Sequence, residues 1–354
     1  MVSYPESTLA VPLRHNKVCE LEDFRDEGLA TLIRDIFPID ARRHGSDFPS
    51  GFEYRKYWEI AMAVRALREH GALHRNSVLL GVGAGTESTL YYLTGLVKMV
   101  FATDLYIQEG SWRAFAPMRM LWDPDAFAPF PYDSRRLVVQ HMDGRSLNYP
   151  DSLFDGIFSA GSIEHFGGLR QVASSAYEMG RVVKPGGVVT LSTEFCVSGP
   201  STSVEWPGLN LFSADEIQRY VTDASGLEPV DVFSAHVSAS TRATAQPLSR
   251  CVHELETALQ AQGDRPRAGE MTWSTYPHLL LERDGYTFGS VHIALRKTER
   301  YPVRDNHWAR PTPEMAREWL NETDPQPQRS LTAALGRTSM NALRALRSRW
   351  SSPT

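Results

Sequence analysis

The sequence predicts an α/β fold built on a doubly wound, mostly parallel sheet, and three observations carry that reading. The apolar run Val78-Leu79-Leu80 leads into the alternating glycines Gly81, Gly83 and Gly85, a strand that turns sharply toward a helix. Strand-like and helix-like segments then alternate to about residue 193, which implies parallel strands joined by right-handed crossovers. Near the end of that region a helix gives way to Pro185-Gly186-Gly187 and an apolar strand. Proline fixes one φ there and glycine permits a positive φ at the next position.

Residues 1–50 are mixed, with prolines at 5, 12, 38 and 49. Within them Leu21, Phe24, Leu29, Leu32 and Ile33 give the run 20–36 helical spacing. Between Phe52 and His70, Tyr57, Ile60, Ala61, Val64 and Leu67 recur three and four apart and stop near Gly71. That is an amphipathic helix placed to pack across the sheet. The strand at 78–82 is followed by Met99–Thr103, which ends in Asp104, and by Arg136–Gln140, which leads into His141-Met142-Asp143-Gly144. A fourth strand, within Asp151–Ser159, runs into Ala160-Gly161-Ser162-Ile163-Glu164-His165, and a fifth follows the Pro-Gly-Gly turn. Beyond Glu194 a loop spans 198–203, and Ser213 with Glu216 marks a capped helix start. Val230–Phe233 reads as a sixth strand and Phe288–Arg296 as a seventh. The residues between them, 236–287, form an insertion with a helix from Pro247 to Gln260. It suits either substrate selection or a structural cap. The division is therefore an N-terminal extension (1–50), a main domain (51–300) and a tail (301–354).

A glycine turn followed by a strand-ending carboxylate suits a nucleotide-type cofactor, since the acid can accept both ribose hydroxyls. The spacing separates cofactor classes. A dinucleotide fingerprint needs glycine at position 86, which is Thr86, and no G-x-x-x-x-G-K-[ST] occurs. The run Gly81-x-Gly83-x-Gly85 with Asp104 resembles motif I of the class I S-adenosylmethionine-dependent methyltransferases. The segments around Asp143, Ser159–His165 and Pro185-Gly186-Gly187 match that family's later motifs in order, across residues 78–191. The resemblance implies a seven-stranded, Rossmann-like sheet with S-adenosylmethionine as cofactor. It places Gly81, Gly83 and Gly85 against the donor's amino-acid part and Asp104 on its ribose. Asp143 and Gly144 fall beside the adenine, and Ser159 at the end of the fourth strand. Glu87, in the first helical turn, complements the helix dipole and can reach the donor's ammonium group.

A hydroxyl acceptor must lose a proton as it is methylated, so a base is needed, whereas a neutral amine needs none. His165 is the leading base, because imidazole titrates near neutrality. Glu164 either takes that role or orients His165, and the alternative for His165 is to shape its loop without moving a proton. His141 adjoins the adenine side, His292 alternates within a strand as a structural residue, and Asp155 stabilises the start of its strand. Trp112, Trp122 and Phe130 either wall the pocket or belong to the core. No metal ligand set is expected.

Composition narrows the function classes. The chain has 354 residues, net charge -5 and 42% hydrophobic residues, an ordinary globular balance without a basic field for nucleic acid. Cys19, Cys196 and Cys251 are few and widely spaced, which suits a reducing compartment. No apolar run approaches the ~20 residues that span a bilayer, and the N-terminus lacks a signal-peptide order, so a cytoplasmic protein is expected. Residues 325–354 hold five arginines and no acid. They form either a basic amphipathic helix for an anionic membrane or a partner, or a terminus packed on its own domain. The expected reaction is O-methylation of a sugar, glycan precursor or secondary metabolite. The alternatives are N-methylation of a small amine, a nicotinamide oxidoreductase, RNA methylation and a non-catalytic cofactor-binding protein. No Asn-Pro-Pro-Tyr-type run follows the fourth strand, which disfavours planar nitrogen acceptors.

Overall fold

The computed structural model describes residues 13–107, 115–262 and 273–298. The expected basic tail and Trp112 lie outside the described residues.

The predicted helix at 20–36 is split. A 3-10 turn over Leu21–Arg25 is followed by α1 (Glu27–Ile36), because the Asp26 side chain accepts from Leu29 N and starts a new helix. A short α2 (Pro38–His44) follows, then α3 (Arg55–Glu69). The glycine strand is β2 (Val78–Val82) and leads to α4 (Ser88–Thr94) and β3 (Met99–Asp104). After them come β4 (Leu137–His141), β5 (Phe154–Ala160), α5 (Leu169–Val182) and the long β6 (Val183–Ser198). A hairpin of β7 (Val204–Trp206) and β8 (Leu209–Leu211) stands apart from the main sheet. The predicted Ser213–Glu216 capping box starts α6 (Ala214–Glu216), which continues as a π-helix over Ile217–Asp223.

Among the described residues the main sheet has ten strands rather than seven. Strands β4, β3, β2, β5 and β6 are parallel neighbours in that order. On the far side of β6 lies β12 (Tyr286–Arg296), antiparallel to it from Thr287 to Arg296. Three strands beyond the expected seven come from outside the motif region. One is β1 (Lys17–Val18) from the N-terminal extension, which pairs with β12. The others are β10 (Gln246–Pro247) and β11 (Leu280–Arg283) from the insertion, which extend the sheet edge past β12. Helix α7 (Ala239–Arg242) precedes β10, and α8 (Leu248–Gln262), close to the predicted 247–260 helix, runs between β10 and β11.

Two predicted elements need correction. The sixth strand is not Val230–Phe233 but the two-residue β9 (Glu228–Pro229), paired with the end of β12. The next stretch of that edge is taken by β1, which bonds both β12 and Ser234. Asp231 accepts from His15 N and Asn16 N, and Val232 is exposed. Pro185-Gly186-Gly187 is not a turn ahead of a strand. Val183 already pairs with Phe154, and the register shifts across the glycines, so the motif is a bulge inside β6. Gly186 takes φ +80 there and donates its N–H to Lys297 O at 2.7 Å.

Helix α3 crosses β5, β6 and β12, as its spacing predicted. Its apolar body is fully buried through Tyr57, Trp58, Val64 and Leu67, together with Phe158, Ala160 and Val188 of the sheet. Trp58 Nε1 donates to Asp23 at 2.9 Å, which ties the N-terminal extension to that layer. The opposite face packs Val172 and Met179 of α5 against Ile157, Val189, Leu191 and Ile293. Helix α5 sits so close to the next segment that a β-carbon on Gly180 would lie 2.0 Å from the Ser225 carbonyl oxygen. Gly180→Ala is therefore expected to destabilise the fold by ~1–3 kcal/mol or more through forced backbone movement. Gly95→Ala, where the nearest atom is 3.5 Å away, should change the denaturation midpoint little.

Candidate active site

The glycine turn is built by close packing on three sides. Gly83 and Gly85 have φ of +65 and +47, values that favour glycine. A β-carbon on Gly83 would come within 2.7 Å of Ser162 Cβ, and one on Gly85 within 2.7 Å of the Phe115 carbonyl oxygen. Gly81 is different. Its missing side chain makes room for the Phe158 ring, 2.8 Å from where a β-carbon would stand. Ser162 Oγ donates to Gly83 O at 2.8 Å and Tyr106 Oη to Gly85 O at 2.9 Å. These two hydroxyls fix the turn, and neither was singled out from the sequence because their partners are distant along the chain.

Asp104 ends β3 beside this turn. Its carboxylate accepts from Gly85 N at 2.8 Å and from Leu105 N at 2.6 Å. Burial pushes its pKa up, while the two N–H groups and His141 oppose that. Glu87 stands at the N-cap of α4, one position ahead of the helical turn expected for it. Asp143 is engaged by Arg145, with Nε at 2.9 Å and Nη2 at 2.7 Å, and it also accepts from Arg145 N. Gly144 is packed between Val82 and Phe166. Ser159 is buried, and its Oγ has no hydrogen-bond partner among the described residues.

The remaining histidines and aromatics sort by environment. His292 is fully buried between Thr190 Oγ1 at 2.5 Å and His15 O at 2.7 Å, and burial pushes its pKa down to about 3. Asp155 accepts from Val78 N and Lys184 Nζ, as a strand-start residue would. Trp122 is largely exposed, and Phe130 packs on the core.

A charged cluster missed in the sequence lies past the carboxyl end of β5 and beside β6. Arg55 and Lys56, from the first turn of α3, reach Glu194 within β6 and Glu59 one turn along. Arg55 Nη1 binds Glu194 Oε1, Lys56 Nζ binds Glu59 Oε2 at 2.7 Å, and Ser290 Oγ donates to Glu59 Oε1. Lys56 Nζ also donates to Ala160 O at 3.2 Å. Burial alone would raise the Glu59 pKa, but Lys56 and Arg55 hold it below the usual range. No local signal marked them: the same helix also carries Arg65, Arg68 and Glu69, which the sequence does not distinguish from 55, 56 and 59.

Glu164 joins this cluster from the turn after β5. Its side chain is 2% exposed, and Thr193 Oγ1 donates to its Oε2 at 2.9 Å. No lysine or arginine pairs with it among the described residues. Burial first, and then Glu194, push its pKa up to about 8, with Lys56 opposing. His165 follows the reverse trend. Its Nδ1 lies 2.6 Å from Gly208 O, its Nε2 lies 3.9 Å from Glu164 Oε1, and burial lowers its pKa to about 4. The two sequence-predicted catalytic candidates are thus adjacent, one a carboxyl protonated at neutrality and the other a neutral imidazole.

A raised carboxyl pKa favours the folded state fully below about 4.5 and loses that contribution as pH rises toward 8. Glu164→Gln cannot ionise. It should raise the melting temperature by a few degrees near pH 8, with the gain shrinking toward zero near pH 4.5, as read by thermal denaturation across that range.

Residues 80–191 match the family described as "Methyltransferase domain". No curated protein matches the chain. Among solved structures, the chain is similar to the (4+2)-cyclase SpnF at 19% identity, over 68% of this chain and 83% of that one, with a TM-score of 0.44. It is similar to the YcgJ protein of Bacillus subtilis at 18% identity, covering 67% and 99%, with a TM-score of 0.39. It is also similar to the geranyl diphosphate C-methyltransferase of Streptomyces coelicolor A3(2) at 16% identity, covering 67% and 77%, with a TM-score of 0.39.

Proposed function

We infer that this chain, an S-adenosylmethionine-dependent methyltransferase whose class I domain includes residues 80–191, methylates a hydroxyl oxygen of a sugar, glycan precursor or secondary metabolite. The observation that carries the reading is Glu164, a buried carboxyl without a cation of its own, just past the carboxyl end of β5. A hydroxyl acceptor has a proton to lose, and a carboxylate of raised pKa is matched to take it near neutrality.

The residues around the glycine turn fit the donor. Asp104 is ionisable, and both of its protein contacts are backbone N–H donors, so oxygen lone pairs remain for a pair of ribose hydroxyls. The unpartnered Ser159 Oγ is a buried polar atom that a ligand would satisfy. When bound, S-adenosylmethionine supplies a methyl group on a sulfonium, already activated for displacement. The turn at Gly81, Gly83 and Gly85 would border its amino-acid part, with Glu87 toward the ammonium. Asp143 and Gly144 would lie toward the adenine, with Asp143 held in place by Arg145.

In this reading Glu164 holds the acceptor's proton at Oε1, the oxygen facing His165. His165 is a positioning residue, since its Nδ1 is committed to Gly208 O and a base of pKa about 4 is weak at neutrality. The surplus of carboxylates at Glu59, Glu164 and Glu194 also favours a second reading, N-methylation of a small amine. The test is to incubate the protein with labelled donor and metabolite fractions separated by size and polarity. Mass spectrometry of the species that gains a methyl group then identifies the atom methylated. Oxygen is expected, and a methylated amine would replace the first reading with the second.

Two variants test the assigned roles. Asp104→Ala should weaken donor binding at least tenfold, since a charge-assisted hydrogen bond contributes ~1.5–3 kcal/mol. Glu164→Gln should slow transfer to a hydroxyl by roughly 10²–10⁴, the usual worth of a general base, with donor affinity in calorimetry changed far less.

A further inference from the structure

We propose that Glu164 is a proton switch worked by the charge of the donor: it is protonated in the empty site, gives up that proton when the sulfonium donor binds, and keeps it when the neutral thioether product binds. This rests on the donor site proposed above and adds to it a control that no motif encodes.

Charge is unevenly compensated in this buried space. Glu59 and Glu194 each have a cation in contact, Lys56 and Arg55 respectively. Glu164 shares the same buried space, and its nearest donor is the neutral Thr193 hydroxyl. The charged and titratable groups around it come from several elements. Helix α3 supplies Lys56 and Glu59, with Arg55 beside them, strand β6 supplies Glu194, its own turn supplies His165, and Glu87 at the start of α4 lies beyond Lys56. With Lys56 and Arg55 engaged by Glu59 and Glu194, an ionised Glu164 would lack a compensating cation, and a buried carboxyl in that position is pushed toward its protonated form. His165 does not supply the missing charge, because partial burial and the nearby Lys56 and Arg55 push its pKa down.

The same turn connects Glu164 to the donor site. Ser162, two residues earlier, holds Gly83 through Oγ at 2.8 Å. Lys56, which influences Glu164, also feels Glu87 beside the glycine turn. A single added positive charge in this space restores the balance, and Glu164 then ionises. Donor and demethylated product share the ribose, adenine, ammonium and carboxylate and differ in charge at sulfur, so comparing them isolates the sulfonium. The base would be ready only when a methyl group is present to transfer.

The experiment is isothermal titration calorimetry of the full chain near neutral pH, in two buffers of different ionisation enthalpy. S-adenosylmethionine and S-adenosylhomocysteine serve as the two ligands. The expected result is a greater proton release on binding S-adenosylmethionine, by up to about one proton, with the excess lost in Glu164→Gln. A second readout needs no variant. As pH rises toward 8, the affinity ratio of the two ligands should shift toward S-adenosylmethionine by up to about tenfold per pH unit, and level off above it. Equal proton release by both ligands in the unmodified protein, or an excess that survives in Glu164→Gln, would overturn the switch and leave the donor site standing. Failure of both ligands to bind would instead remove the donor site itself.

Discussion

The seating of α3 across β5, β6 and β12 is the constraint from which the rest of this site follows. The helix is apolar along its body, with Tyr57, Trp58, Val64 and Leu67 withdrawn from water. Fully burying side chains of this kind stabilises by ~1.5–3 kcal/mol each. That drives the first turn of the helix, with Arg55, Lys56 and Glu59, down onto the carboxyl ends of the strands. Burying ions costs about several kcal/mol apiece unless they are paired. The pairing with Glu194, together with the Lys56–Glu59 contact and Ser290, offsets that loss. The charged cluster is held where it is by packing further along the same helix.

Once the cluster is in place, the chemistry of its neighbours is no longer free. A carboxyl added to a space whose cations are already engaged is pushed toward its neutral form, and an imidazole beside the same cations is pushed the same way. Glu164 and His165 are consecutive in sequence, yet desolvation moves their pKa values in opposite directions, to about 8 and about 4. The usual preference for histidine as the neutral-pH base is thereby reversed at this pair. The cause is the dielectric environment set by α3 and β6.

Much of the architecture was legible in the residue pattern. The glycine run, the acid that ends β3 and the alternation of apolar strands with amphipathic helices all depend on contacts within a few tens of residues. So does the α3 stripe. The errors fell where distant segments compete for one sheet edge. Val230–Phe233 has a reasonable strand composition, but the position it needed beside β12 is filled by β1 from the far end of the chain. Pro185-Gly186-Gly187 reads as a turn, but pairing on both sides carries the strand through it as a bulge. Within the site, Asp104 and the glycines could be picked out by local chemistry. Arg55, Lys56, Glu59 and Glu194 could not, since nothing local distinguishes them from solvated surface charges.

The sequence by itself determined the parallel core, the turn between β2 and α4, and the carboxylate beside it, because period, glycine and strand ends act locally. Only the tertiary structure decided how many strands the sheet carries and which charges meet at its mouth. It also decided that burial pushes the Glu164 carboxyl up and the His165 imidazole down. Burial and pairing between segments separated along the chain, such as Arg55 with Glu194, set those outcomes, and neither is a property of any segment read alone.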